Sequence, residues 1–210
     1  KAMYVKTAVA NLRDYAIFRN NVFKNEQVSR WLGDIKLPQL VDYISTKKNR
    51  KDPLWQMTCV SNVKQFHESH IPIFYIAGWY DMFLEGTLDA YLSHENDNAH
   101  ILIGPWDHSL ETTKEHKYPK PKAKKKPNHI NYKPLKWFDY HLKQQNNYYS
   151  FPKFQYFLLG SNQKNTKGNI WLTTKTWPIE LKQNPTIFYL DGRQESSIDN
   201  IGVLNESTSS

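Results

Sequence analysis

Two residues in this sequence have types and spacing that could support proton-transfer chemistry: Asp81 and His108, 27 positions apart. A histidine titrates near neutral pH, so it can take a proton as general base and return it as general acid. A buried carboxylate on its other ring nitrogen would fix the tautomer and stabilise the imidazolium. A blander reading also fits, in which Asp81 only caps the helix that follows and His108 is an ordinary loop histidine.

The elements around the two residues place them together. Residues 71–77 form an apolar run with Ile71, Ile73, Phe74, Ile76 and Ala77, too short and β-branched for a buried helix, and it stops at Gly78. Next, Phe83, Leu84, Leu88, Tyr91 and Leu92 recur at helical spacing within 82–93, and a second apolar run, 101–103, ends at Gly104-Pro105. The pattern predicts a β-α-β unit. Asp81 and His108 then each follow the C-terminal end of a strand, the edge of an open α/β sheet where ligands collect.

The flanking residues are specific. Gly78-Trp79-Tyr80-Asp81 and Gly104-Pro105-Trp106-Asp107-His108 together resemble the acid and histidine segments of the cocaine esterase and X-prolyl dipeptidyl-peptidase (CocE/NonD) family of α/β-hydrolases. The resemblance implies that Asp81 is the orienting acid and His108 the base of a Ser-Asp-His triad, in the chain order of that fold. It extends to Lys136-Trp137-Phe138-Asp139-Tyr140-His141-Leu142-Lys143, similar to the family's WFD-x-x-LK helix. Phe157-Leu158-Leu159-Gly160 and Ile187-Phe188-Tyr189-Leu190 resemble strands of its C-terminal β-domain. The implied fold is α/β: the C-terminal part of a hydrolase domain (71–148), preceded by a helical cap (1–70) and followed by the start of a β-sandwich, or jelly roll (151–210). Asp52-Pro53-Leu54-Trp55 is similar to an acidic turn near the cap's end, which makes Trp55 a candidate pocket wall or, more simply, cap core. Trp79, Tyr80 and Trp106 are further candidates for a substrate pocket.

The triad's nucleophile is missing from the sequence. A serine of this kind sits on a strained G-x-S-x-G elbow, and none of the eight glycines is followed two positions later by Ser or Cys. The single cysteine, Cys59, has no glycine near it and reads as a small buried hydrophobe. Elbow and oxyanion-hole residues are therefore expected upstream of Lys1, and both ends of the chain read as cut.

Composition narrows the remaining classes. The 210 residues are 39% hydrophobic with seven Trp, thirteen Tyr and ten Phe, enough apolar material for a core. One cysteine excludes an intrachain disulfide framework and fits a reducing, cytoplasmic compartment. No run approaches the ~18 apolar residues of a membrane span, and neither membrane nor cofactor is expected. His67-Glu68-Ser69-His70 lacks a third ligand in register, so no metal is expected there. Seven lysines against Glu115 within 114–127 supply six of the net +8 charges. Interrupted by proline and carrying only Tyr118 for stacking, that tract reads as a solvated loop, not a nucleic-acid site.

Before residue 70 the apolar residues Tyr15, Phe18, Val22, Phe23, Leu40, Val41 and Ile44 follow helical spacing with little strand character. After 151 the pattern alternates, with Phe154, Tyr156 and Leu158 on one face, which predicts antiparallel sandwich strands. Two functions follow. One is a serine hydrolase of the dipeptidyl-peptidase or esterase type, acting on ester or peptide substrates once its upstream segment is present. The other is a non-catalytic remnant that binds carbohydrate or protein through exposed aromatics.

Overall fold

A computed structural model of the chain describes residues 1–94, 97–110, 133–143, 152–161, 168–179, 189–190 and 204–205. The lysine tract 114–127 lies outside them. The chain divides into two compact units, Lys1–Trp177 and Pro178–Ser210.

The first unit is built on a five-stranded sheet in the order β1-β4-β5-β6-β7: Met3–Lys6, Ile73–Gly78, Ala99–Gly104, Phe154–Leu158 and Ile170–Thr174. The first four strands run parallel and β7 closes the order antiparallel to β6. Successive side chains on a strand point to opposite faces, and here both faces are buried, as a parallel sheet requires. Ile73, Tyr75 and Ala77 of β4, Ile101 and Ile103 of β5 and Phe154 of β6 form one core with Ala90 of helix α5 (Leu84–Ser93). Phe74, Ile76, Leu102, Phe157 and Trp171 form the other with Trp137 of α6 (Pro134–Lys143). The Trp137 indole N–H donates to Met3 O at 2.8 Å, anchoring α6 to β1.

Two expectations need correction. The segment before residue 70 is not helical throughout, because β1 pairs with β4 over four residues. Its sequence, Met-Tyr-Val-Lys, is only four residues long and ends on a lysine, too short for the run-length signal that reveals β4. Nor do β6 and β7 belong to a separate sandwich: β6 pairs in parallel with β5 and carries β7 with it. Alternation reports that a strand has two faces and says nothing about which sheet receives it. In the second unit, β8 (Tyr189–Leu190) and β9 (Leu204–Asn205) form an antiparallel pair.

Between the neighbouring strands β1 and β4 lies a helical insertion. It contains a π-helical turn at Arg13–Ile17, a small hairpin of β2 (Phe18–Arg19) and β3 (Val22–Phe23), and helices α1 (Asn25–Asp34), α2 (Leu40–Ser45), α3 (Pro53–Thr58) and α4 (Lys64–His67). Ala16, Ile17, Phe18, Val28, Leu32, Trp55 and Cys59 make its core, and Cys59 is buried as the sequence suggested. The Asp52-Pro53 turn starts α3 in the expected way: Asp52 accepts from Leu54 N–H at 3.0 Å, and Pro53 occupies the first turn, where its missing N–H is no loss.

Candidate active site

Strand β4 ends at Gly78 and β5 at Gly104, and these two glycines are register partners. The turns that follow are bonded to each other: Trp79 N–H donates to Gly104 O at 2.9 Å and Tyr80 N–H to Trp106 O at 3.1 Å. Trp106 then folds back over both strand ends, its indole N–H donating to Ala77 O at 2.8 Å. A Cβ on Gly78 would lie 2.0 Å from Trp106 O, and one on Gly104 2.3 Å from its ring. Both motif glycines are thus dictated by the close approach of one tryptophan.

This double turn brings Asp81 and His108 together. His108 Nδ1 lies 3.0 Å from Asp81 Oδ1, inside the range expected for an orienting acid and its histidine. The Asp81 side chain is fully buried, while the His108 side chain is 48% exposed. Asp81 Oδ1 also accepts from Phe83 N–H at 3.0 Å, which closes the turn before α5; the helix itself starts one residue later, with Phe83 at its N-cap, so Asp81 does not cap it. Asp81 Oδ2 has no hydrogen-bond partner among the described residues. Edge-on to the imidazole stands the Phe83 ring, at 5.0 Å between centroids and 90° between planes. The neighbouring Asp107 plays a different part, accepting from Ser109 N–H at 2.9 Å and from Ser109 Oγ–H at 2.6 Å and so holding the histidine turn closed. With an ionised carboxylate accepting from Nδ1–H, the Nε2 lone pair is left to take a proton from a third group.

The aromatic pocket candidates are placed less uniformly. Trp55 is in the insertion's core, 2% exposed, its indole N–H donating to Lys47 O at 2.7 Å, which is the simpler of its two readings. The Trp79 indole N–H reaches across to Phe157 O at 2.6 Å, tying the acid turn to β6. Trp79 and Trp106 stand beside the acid–histidine pair in sequence, yet both spend their N–H groups on main-chain oxygens of the sheet. Tyr80 is half-buried in the acid turn. Phe83 is the residue the sequence pattern left among the helical apolar positions. Its place two residues after an aspartate, where a carboxylate commonly accepts the backbone N–H, was the available signal. In the His67-to-His70 segment, His67 is held by main-chain oxygens, Nε2 at 2.7 Å from Ser61 O and Nδ1 at 3.2 Å from Ser93 O.

Comparison with known proteins bears on this arrangement. No curated protein matches the chain. Among solved structures the fold is similar to that of a CocE/NonD family hydrolase from Staphylococcus aureus in two crystal structures. One gives a TM-score of 0.59 at 13% identity, covering 99% of this chain and 34% of that one. The other gives 0.60 at 12% identity, covering 88% and 31%. The likeness is one of fold, and the chain spans about a third of the length of those structures. Residues 3–110, from the first strand through the histidine turn, match the model of the X-Pro dipeptidyl-peptidase (S15) family. That stretch is about half of the chain and contains both motifs, and the chain belongs to the X-Pro dipeptidyl-peptidase (S15) family of CocE/NonD hydrolases.

Proposed function

We propose that this chain supplies the acid and the base of a serine hydrolase that cleaves ester or amide bonds, acyl or dipeptidyl, through a Ser-Asp-His triad. The observation that carries the reading is the 3.0 Å contact between His108 Nδ1 and a fully buried Asp81 at the ends of two adjacent parallel strands. His108 Nε2 would take the serine proton during attack and return it to the leaving group, while Asp81 stabilises the imidazolium between the two steps. The serine and the oxyanion donors would come from a segment upstream of Lys1, since no G-x-S-x-G occurs within the 210 residues. The helical insertion would serve as the cap over the site.

The experiment compares the 210-residue chain with a longer chain that includes the upstream segment, using a p-nitrophenyl ester and an X-Pro-anilide. The chain alone is expected to give background hydrolysis, because a base without nucleophile or oxyanion donors has little to act on, and one lost donor alone costs about 100- to 1,000-fold. The longer chain is expected to turn over and to lose that activity with His108→Ala. Turnover by the 210-residue chain that vanishes with His108→Ala would place a nucleophile within it. Full activity of the longer chain with His108→Ala would overturn the assignment of the base.

A further inference from the structure

His108 is half-exposed, so burial does not fix its ring. Its bond to Asp81 restrains one atom, Nδ1, and leaves the plane of the imidazole free to swing about that contact. The second restraint is Phe83. Its ring meets the imidazole edge-to-face at 5.0 Å, a favoured geometry for an aromatic pair, and its backbone N–H donates to the same carboxylate oxygen that holds Nδ1. The Phe83 side chain also packs against the core of the helical insertion, made by Ile17, Phe18, Leu32 and Trp55 among others. Phe83 therefore touches both members of the pair and the insertion at once. From this geometry, and resting on the hydrolase reading above, we propose that Phe83 is a positioning residue that couples the packing of the helical insertion to the orientation of His108.

The coupling is mechanical in origin. A loosened insertion core lets the Phe83 ring move, and the imidazole loses the edge contact that keeps its Nδ1–H aligned with Asp81. Substrate binding that presses on the insertion would act in the opposite sense and tighten the pair. The base would then be aligned best when the insertion is seated.

The test reads the Nδ1-bound proton of His108 by NMR in the 210-residue chain with labelled histidine, through its rate of exchange with water. Phe83→Leu keeps the backbone N–H and most of the apolar volume but removes the ring. It is expected to speed exchange about two- to tenfold, the factor to which one edge-to-face pair corresponds. Phe83→Tyr retains the ring edge and should stay near the unaltered rate. Trp55→Phe, inside the insertion and away from the pair, should speed exchange in the unaltered background and have no further effect beside Phe83→Leu. An unchanged rate in Phe83→Leu, or in Trp55→Phe should Phe83→Leu fail to fold, overturns the role of Phe83 and leaves the hydrolase reading standing. Survival of the proton at an unchanged exchange rate in Asp81→Asn removes the acid–histidine pair and both proposals with it.

Discussion

Asp81 and Asp107 lie within reach of the same turn, but their environments divide the work between them. Asp81 is fully buried and bonded to His108, whereas Asp107 accepts from Ser109. In an upstream-extended chain that turns over as proposed, Asp81→Asn is expected to lower kcat by about 10⁴, since an amide at this place imposes the wrong tautomer on the histidine. Asp107→Asn keeps an acceptor oxygen for Ser109, so it only weakens a turn and should cost no more than about tenfold. Equal losses from the two substitutions would show that the acid has been misassigned. A second residue-scale consequence concerns His94, which is buried against Phe66 and Tyr75 with neither ring nitrogen hydrogen-bonded among the described residues. Burial, with the nearby His67 second, holds His94 below the ordinary histidine value. The unfolded chain then binds the proton more readily, so stability is intact above about pH 6.5, the unfolded histidine value, and declines as pH falls below it. Chemical denaturation between roughly pH 7.5 and 5 should record that decline, and His94→Leu should make it shallower. A steeper decline in the variant would contradict the assignment.

At the level of elements, the two strand-end glycines differ in what opposes them. The atom facing Gly78 most closely is a main-chain oxygen, Trp106 O, whereas the three atoms facing Gly104 most closely all belong to the Trp106 ring. Alanine at either position should therefore destabilise by about 1–3 kcal/mol through overpacking. Adding Trp106→Ala should relieve the cost at Gly104 and leave it at Gly78. Thermal unfolding of the single and double variants measures both, and relief at Gly78 would contradict the geometry. The β-α-β unit was legible because each of its signals is local: apolar run, glycine stop, helical spacing. What was not legible is how the small residues are used. The buried face of α5 is carried by Gly86, Thr87 and Ala90, while Leu92, counted with the apolar stripe, is 52% exposed. Periodicity weighs large side chains, but Thr87 Oγ1 donates to Ala8 O at 2.9 Å and Gly86 lies under Val9 and Tyr15. Small residues let the chain after β1 come that close to the helix.

Across the whole molecule, the strands at the centre of the sheet could be read in place, whereas β1 at one margin could not be read and β6 and β7 toward the other were read as antiparallel strands of the wrong sheet. β4 is buried from end to end and β5 everywhere but at the half-buried His100, whereas β1 is exposed at both ends and β7 in part. A marginal strand is identified by what it pairs with, and pairing is not written in its own residues. The site was readable for the complementary reason that its motifs combine chemistry with packing constraints that only glycine and tryptophan satisfy. Trp137 offers a test of the fold at this scale. It is 0% exposed, packs against Phe74 and bonds to Met3 O, so α6, β1 and β4 meet on one side chain. Trp137→Ala should lower the stability of the first unit by about 3–5 kcal/mol in urea, and a loss below about 1 kcal/mol would mean that α6 does not hold that face. The Gly78 to Gly104 register also governs where the chain can change length. Asp81 is three positions beyond one glycine and His108 four beyond the other, and both offsets are fixed by turns bonded to each other. A residue inserted within either offset moves one partner off its bond, whereas residues added between α5 and β5 leave the register as it is. Homologues should accordingly vary in the distance between the two motifs and hold each motif's internal spacing constant.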